Sequence, residues 1–296
     1  MISQKSKAYL KKILKNALQW LFIIIIAIGL AIFLRVFIFA TFSIPTPSME
    51  PAIKAGDHVI VNKMIPGPRI IKNFFSLKKG EKPDFIRLNG YRPVERNDVL
   101  IFNFPYSDWE RLDLDMSVYY AKRCVAIPGD TFYIENGIYK VKGVSDTLGC
   151  RENQRALSEK KDDEFDFLIY HCFPYDEHYN WNIKNFGPLY IPAQGDKIKL
   201  DTLNIILYRK LIDYETTKQV KVKEANILLG DSIIKEYTFL KNYYFMAGDH
   251  VFDSQDSRYW GLLPEDHIVG KVAYIWNNRD VVTKKKSWER FFKAVE

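Results

Sequence analysis

Cysteine and histidine are scarce in this chain, and acid is missing from its first stretch. Among 296 residues there are three cysteines and five histidines. The three cysteines, Cys124, Cys150 and Cys172, cannot all pair within one chain, although Cys150 and Cys172 could bridge in an oxidising compartment. His171, Cys172 and His178 are too few and too irregularly spaced for a zinc site. No GxSxG sequence occurs, and none of the histidines stands in a comparable setting with a carboxylate to orient it, which removes the usual histidine-based serine hydrolase. Residues 1–16 hold Lys5, Lys7, Lys11, Lys12 and Lys15 and no acid, and residues 280–296 carry a net +2, so the overall +7 leaves the body between them neutral. A neutral body lacks the gathered basic face of a nucleic-acid groove, whereas membrane headgroups suit the charged ends.

What is present is a long apolar run and a folded remainder. Hydrophobic residues make up 47% and aromatics 15%, a composition that leaves little room for long disorder. ALQWLFIIIIAIGLAIFL, residues 17–34, contains no formal charge, and VFIFA continues beyond Arg35. At 1.5 Å of rise per residue about twenty such residues cross a hydrocarbon core, so a transmembrane helix is expected, with Arg35 snorkelling at its end. The run is longer than the apolar part of a cleaved signal peptide, and the ATFSIP after it offers no clean small-x-small site. Five lysines precede the helix, against Lys54 and Lys63 in the twenty-nine residues after Arg35, which places the N-terminus in the cytoplasm by the positive-inside rule.

Beyond the anchor, apolar runs alternate with turn signals at 58–63, 98–104, 119–127, 131–141, 189–200 and 267–276. They are rich in Val, Ile, Tyr and Phe and bounded by Pro-Gly, Asn-Gly or Gly-Asp, the grammar of strands and hairpins. The reading is a mostly β protein with antiparallel sheets. Residues 142–188 turn polar and irregular and read as an insertion rather than core. In the last segment Trp288, Phe291, Phe292 and Val295 recur at i, i+3, i+4 and i+7, which predicts a helical apolar stripe that either packs on the domain or lies in the membrane interface.

The stretch TPSMEP, residues 46–51, holds a serine between prolines. Such a serine is ordinarily a turn residue, and it becomes a nucleophile only if a neighbouring base takes its proton. With no suitable histidine the base can be a lysine, provided burial lowers its pKa by several units. In VYYAKRCVAIPGD strand alternation puts Val118, Tyr120, Lys122, Cys124 and Ala126 on one face, where Lys122 is the only charge. Arg123 points the other way and needs its own carboxylate.

With these residues in hand the chain resembles the bacterial type I signal peptidases, or leader peptidases, in ordered blocks. They are SIPTPSMEPAI at 43–53, GDHVIVNK at 56–63, RNDVLIFNFP at 96–105, YYAKRCVAIPGD at 119–130 and MAGDHVFDSQDSRYWGLLPEDHIVGKV at 246–272. The resemblance implies Ser48 as nucleophile, Lys122 as general base, Thr46 as an oxyanion-hole hydroxyl beside the Ser48 backbone N–H, and Ser254 as a hydrogen-bonding partner of the lysine. It implies that Asp249, Asp256 and Arg258, with Arg123, brace this wall. Phe42, Ile44, Met49, Ile101, Tyr120 and Ala121 would line pockets for small side chains at the first and third positions before the cut. Two features depart from the family pattern: His250 and Val251 follow the Gly-Asp where Asn-Arg is usual, and Pro47 replaces a small residue before the nucleophile.

The implied organisation is a cytoplasmic basic segment (1–16), an anchor (17–39), a barrel-like catalytic β domain (40–130 and 240–279), an inserted β-rich subdomain (131–239) and a basic, aromatic tail (280–296). The implied activity is a membrane-anchored serine endopeptidase of the bacterial inner membrane, single-pass, its catalytic domain on the periplasmic side. It would remove signal peptides from preproteins near the secretion machinery, with the bilayer and preproteins as partners and without cofactor, metal or nucleic acid. Competing readings are an inactive membrane-tethered β domain that only binds exported chains, and a self-cleaving Ser/Lys repressor. The second would need a DNA-binding helix-turn-helix where the membrane segment lies.

Overall fold

A computed structural model describes residues 4–72, 84–106, 109–216, 218–224, 226–281 and 283–295. The chain starts with one helix, Gln4–Phe33, which runs through a π-helical turn, Leu34–Ile38, directly into the strand Phe39–Ser43. From Lys11 to Ile38 the segment is long and apolar enough to cross a membrane, and its most apolar stretch is not buried against any of the described residues. Its apolar side chains point outward all round, as expected of a helix whose solvent is lipid.

The centre of the fold is an eight-stranded sheet. Along it lie Phe39–Ser43, Asp57–Asn62, Ile268–Asn278, Val99–Asn103, Tyr119–Ala126, Tyr243–Ala247 and Leu263–Pro264, with Lys293–Ala294 pairing separately against Ile268–Asn278. Its pairings are all antiparallel, and register shifts interrupt several of them. Extra residues of this kind bend and twist a strand, which curls the sheet. Apolar clusters cover both faces, so Val99–Asn103 and Tyr243–Ala247 are buried at every position rather than alternately. One cluster joins Ile44, Met49, Ile53, Val59, Ile101 and Val272; the larger joins Leu100, Phe102, Cys124 and Phe245 to buried residues of the segment 132–239.

The stretch 142–188 is not outside the core, contrary to its polar composition. It contains the helix Arg151–Glu159, and Leu148, Leu157, Cys172, Phe173 and Ile183 are buried in the larger cluster. The helix Asn204–Thr216 adds Ile205, Leu211 and Ile212 to the same cluster. Phe132 of the strand Thr131–Glu135 stacks on Phe245 with ring centroids 4.2 Å apart, and Phe186 meets Phe245 edge-on at 5.4 Å. Cys150 and Cys172 are both free thiols, as is Cys124.

The expected C-terminal helix is absent among the described residues. Trp288–Arg290 forms a short 3-10 turn, Phe292 takes a φ of +54°, and Lys293–Ala294 pairs with Tyr274 and Ile275. Val295 is buried while Trp288, Phe291 and Phe292 remain exposed. Joining the sheet satisfies the backbone here, and a strand cannot keep the four apolar residues on one side.

Phe245→Ala should destabilise the protein by about 3–5 kcal/mol, the usual cost of emptying an aromatic core position. Denaturant unfolding in detergent micelles, followed by tryptophan fluorescence, checks this. A single shifted transition is expected, because the larger cluster is shared; two transitions would mean that residues 131–239 hold a core of their own.

Candidate active site

Residues 44–57 form a closed loop. Its base is tied by Ile44 N–H to Asp57 O at 2.9 Å and Gly56 N–H to Ile44 O at 2.8 Å. Within it Glu50 N–H bonds Pro47 O and Ile53 N–H bonds Met49 O, each at 2.9 Å, so the chain turns tightly just after Ser48. Met49 and Ile53 plunge into the smaller core with no exposed surface. Two apolar plugs and two flanking prolines therefore hold Ser48 on a stiff rim. Gly56 permits the return of the loop: its φ is +89°, and a Cβ there would lie 2.1 Å from Arg279 O.

Lys122 reaches this rim from the strand Tyr119–Ala126. Its Nζ lies 2.6 Å from Ser48 Oγ and donates to Ala121 O at 3.1 Å. The lysine is only 4% exposed, and burial lowers its pKa to about 8. The negative charge of Asp256 opposes that shift and the positive charge of Arg258 reinforces it. Asp256 and Arg258 are themselves fully buried and paired through two contacts of 2.8 Å, so to Lys122 they present nearly a neutral dipole.

The wall behind the pair is built from residues 246–258. Gly248 N–H donates to Asp256 Oδ2 at 2.9 Å, and His250 N–H donates to Ser48 O at 3.1 Å. A Cβ on Gly248 would meet Ser254 Oγ at 2.1 Å and Ser48 O at 2.6 Å, so only glycine lets this wall approach the serine. Arg123 grips Asp249 with two bonds of 2.7 Å on the opposite side of the strand from Lys122, the carboxylate partner its direction required. Asn153 Nδ2 links the wall to the serine loop, donating to Asp249 O at 2.8 Å and Glu50 O at 3.3 Å.

A cleft of about 390 Å³ opens from the Ser48–Lys122 pair. Ile44, Ile101 and Ala121 give it an apolar floor, and Ile101 and Ala121 are cross-strand partners. Phe42 and Tyr119 close its far end with rings 5.0 Å apart, and Tyr120 completes one side. The cleft lies between two strand edges. Phe39–Ser43 ends the sheet, and Tyr119–Ala126 pairs with Tyr243–Ala247 only from Arg123 onward, leaving Tyr119–Lys122 open on that side.

Of the residues singled out in the sequence, Ser48, Lys122, Thr46, Phe42, Ile44, Ile101, Tyr120 and Ala121 converge on this cleft. Thr46 Oγ1 lies 3.5 Å from Ser48 Oγ on the same rim. Met49 is not among the residues lining this cleft: it is wholly buried in the smaller core. Ser254 is beside the serine loop, yet its Oγ makes no hydrogen bond to Lys122 among the described residues. Sequence reasoning missed Tyr119, Asn153, Asp253 and Gln255. Strand alternation would have flagged Tyr119 only if the strand's open edge had been known, and Asn153 sits on a helix the polar composition concealed.

The family model for signal peptidases, peptidase S26, matches residues 17–277. Signal peptidase I of Buchnera aphidicola subsp. Baizongia pistaciae is 27% identical over 96% of this chain and 83% of its own length. That of Buchnera aphidicola subsp. Acyrthosiphon pisum is 28% identical over 86% of this chain and 73% of its own length. Signal peptidase I of Haemophilus influenzae is 28% identical over all of this chain and 80% of its own length. With most of its length matched by the family model, this chain belongs to the signal peptidase family, peptidase S26.

Proposed function

We propose that the chain is a membrane-anchored serine endopeptidase that removes N-terminal signal peptides from exported preproteins with Ser48 as nucleophile and Lys122 as base. The observation that carries this reading is the 2.6 Å approach of Lys122 Nζ to Ser48 Oγ in a dry pocket at the head of an apolar cleft. The substrate lies extended between the two open strand edges and adds to them by main-chain hydrogen bonding. Ile44, Ile101 and Ala121 then leave room only for small side chains before the cut.

Neutral Lys122 takes the proton of the Ser48 hydroxyl as Oγ attacks the carbonyl carbon. The Ser48 backbone N–H and the Thr46 hydroxyl donate to the developing oxyanion. The ammonium of Lys122 next protonates the departing amine, which leaves the signal peptide esterified to Ser48. Lys122, neutral again, activates a water that hydrolyses the ester. The five lysines ahead of the helix support a cytoplasmic N-terminus with the catalytic domain on the outer side, where exported chains emerge.

Ser48→Ala and Lys122→Ala should each lower cleavage of a model preprotein in detergent by at least about 10⁴-fold, the scale on which serine peptidases lose activity without nucleophile or base. Both should retain the wild-type circular dichroism spectrum. Substantial cleavage by either variant would defeat the assignment.

The pH dependence follows from the direction of the lysine's shift. A protonated amine accepts no proton, so kcat/KM should fall tenfold per unit as pH drops below about 8 and level off above it. A limb near pH 10.4, the value of an ordinary lysine, would mean that the base is not a buried amine.

A further inference from the structure

The C-terminal tail lies outside the residues matched by the family model, yet it reaches back to the nucleophile loop. Asp57, fully buried at the loop's return, is the meeting point. Its carboxylate accepts from Lys54 N–H at 2.8 Å, from Asn278 Nδ2 at 2.5 Å and from Arg290 Nε at 3.0 Å. Arg290 Nη2 bonds the second carboxylate oxygen and also donates to Ala52 O at 3.1 Å. The guanidinium therefore grips both limbs of the turn between Pro51 and Asp57, and only 11% of its side chain is exposed. The residues around it, Trp288, Glu289, Phe291 and Phe292, are exposed.

We infer that Arg290 is a positioning residue for the nucleophile: the tail clamps the turn that follows Ser48 and so fixes the serine against Lys122. This rests on the assignment of Ser48 and Lys122 above. Between Ser48 and Ala52 lie three residues, two of which, Met49 and Glu50, are already held by the turn's backbone bonds. Slack at Ala52 therefore passes to the serine with little to absorb it. A fixed planar fork suits the task, since one guanidinium can satisfy a carboxylate and a carbonyl together, which a lysine ammonium on a flexible stem does less well. Arg290 does not line the cleft, so its loss acts on chemistry more than on substrate capture.

The test compares the full-length wild type in detergent with Arg290→Met and Arg290→Lys, kcat being expressed per folded molecule from denaturant curves. Arg290→Met should lower kcat by about 10- to 100-fold, the scale of a small misplacement of reacting groups, with KM changed less than about twofold. Arg290→Lys should recover part of the loss. Wild-type kcat per folded molecule in Arg290→Met, or a raised KM at unchanged kcat, would overturn the inference. Should Arg290→Met fail to fold, Asp57→Asn combined with Arg290→Gln removes both charges of the pair together and leaves no lone buried charge. That double variant should fold with the same lowered kcat; normal turnover, or no folding, would reduce the clamp to a folding element. Ser48→Ala measured alongside separates the two claims: if it is inactive while Arg290→Met is normal, only the positioning role fails.

Discussion

Under the proposed function, the site depends on keeping one amine dry. A lysine in water is charged throughout the physiological range and cannot accept a proton, so the protein spends much of its local architecture on excluding solvent from Lys122. The strand that carries it is buried from Arg123 through Ala126, the wall of residues 246–258 packs against it, and the fully enclosed Asp256–Arg258 pair offers its charges to each other. An unpaired Asp256 would pull the lysine toward its charged form, whereas pairing with Arg258 removes most of that pull. The ion pair thus acts on the electrostatics of the amine as much as on the stability of the wall.

Much of this was legible in the sequence because it follows local rules. The apolar run gave the helix, Val-, Ile-, Tyr- and Phe-rich runs between turn signals gave most strands of the sheet but not Phe39–Ser43 or Tyr243–Ala247, and alternation put Lys122 on an otherwise uncharged face with Arg123 opposite. The misses were made by tertiary structure. Trp288, Phe291, Phe292 and Val295 have helical spacing, but an available sheet partner at Tyr274 and Ile275 drew the segment into a strand pairing. Met49 sits beside Ser48 in sequence but is buried in the smaller core rather than in the cleft. Polar residues between 142 and 188 hid Leu148, Leu157 and Ile183, each an isolated apolar residue that a shared core could absorb. Asp57 and Arg290, separated by 233 positions, carry no local signature of their pairing.

The serine loop is stiff for a related reason. Met49 and Ile53 fix it from below in the smaller core, while the larger core on the other sheet face supports the strand that brings Lys122. Ser48 and Lys122 are thus supported by packing on the two faces of one sheet. Packing on both faces therefore helps to set their separation.

The passage from helix to sheet contains no linker. Leu34–Ile38 leads straight into Phe39–Ser43, and Ser48 follows within ten residues of Ile38. Even a fully extended chain spans at most about 3.5 Å per residue, so the hydroxyl stands no more than about 35 Å from the end of the apolar helix. Under the proposed function the anchor consequently works as a ruler: whichever bond is to be cut must be offered within that upper bound from the end of the helix, and a chain whose cleavable segment lies farther off passes out of reach.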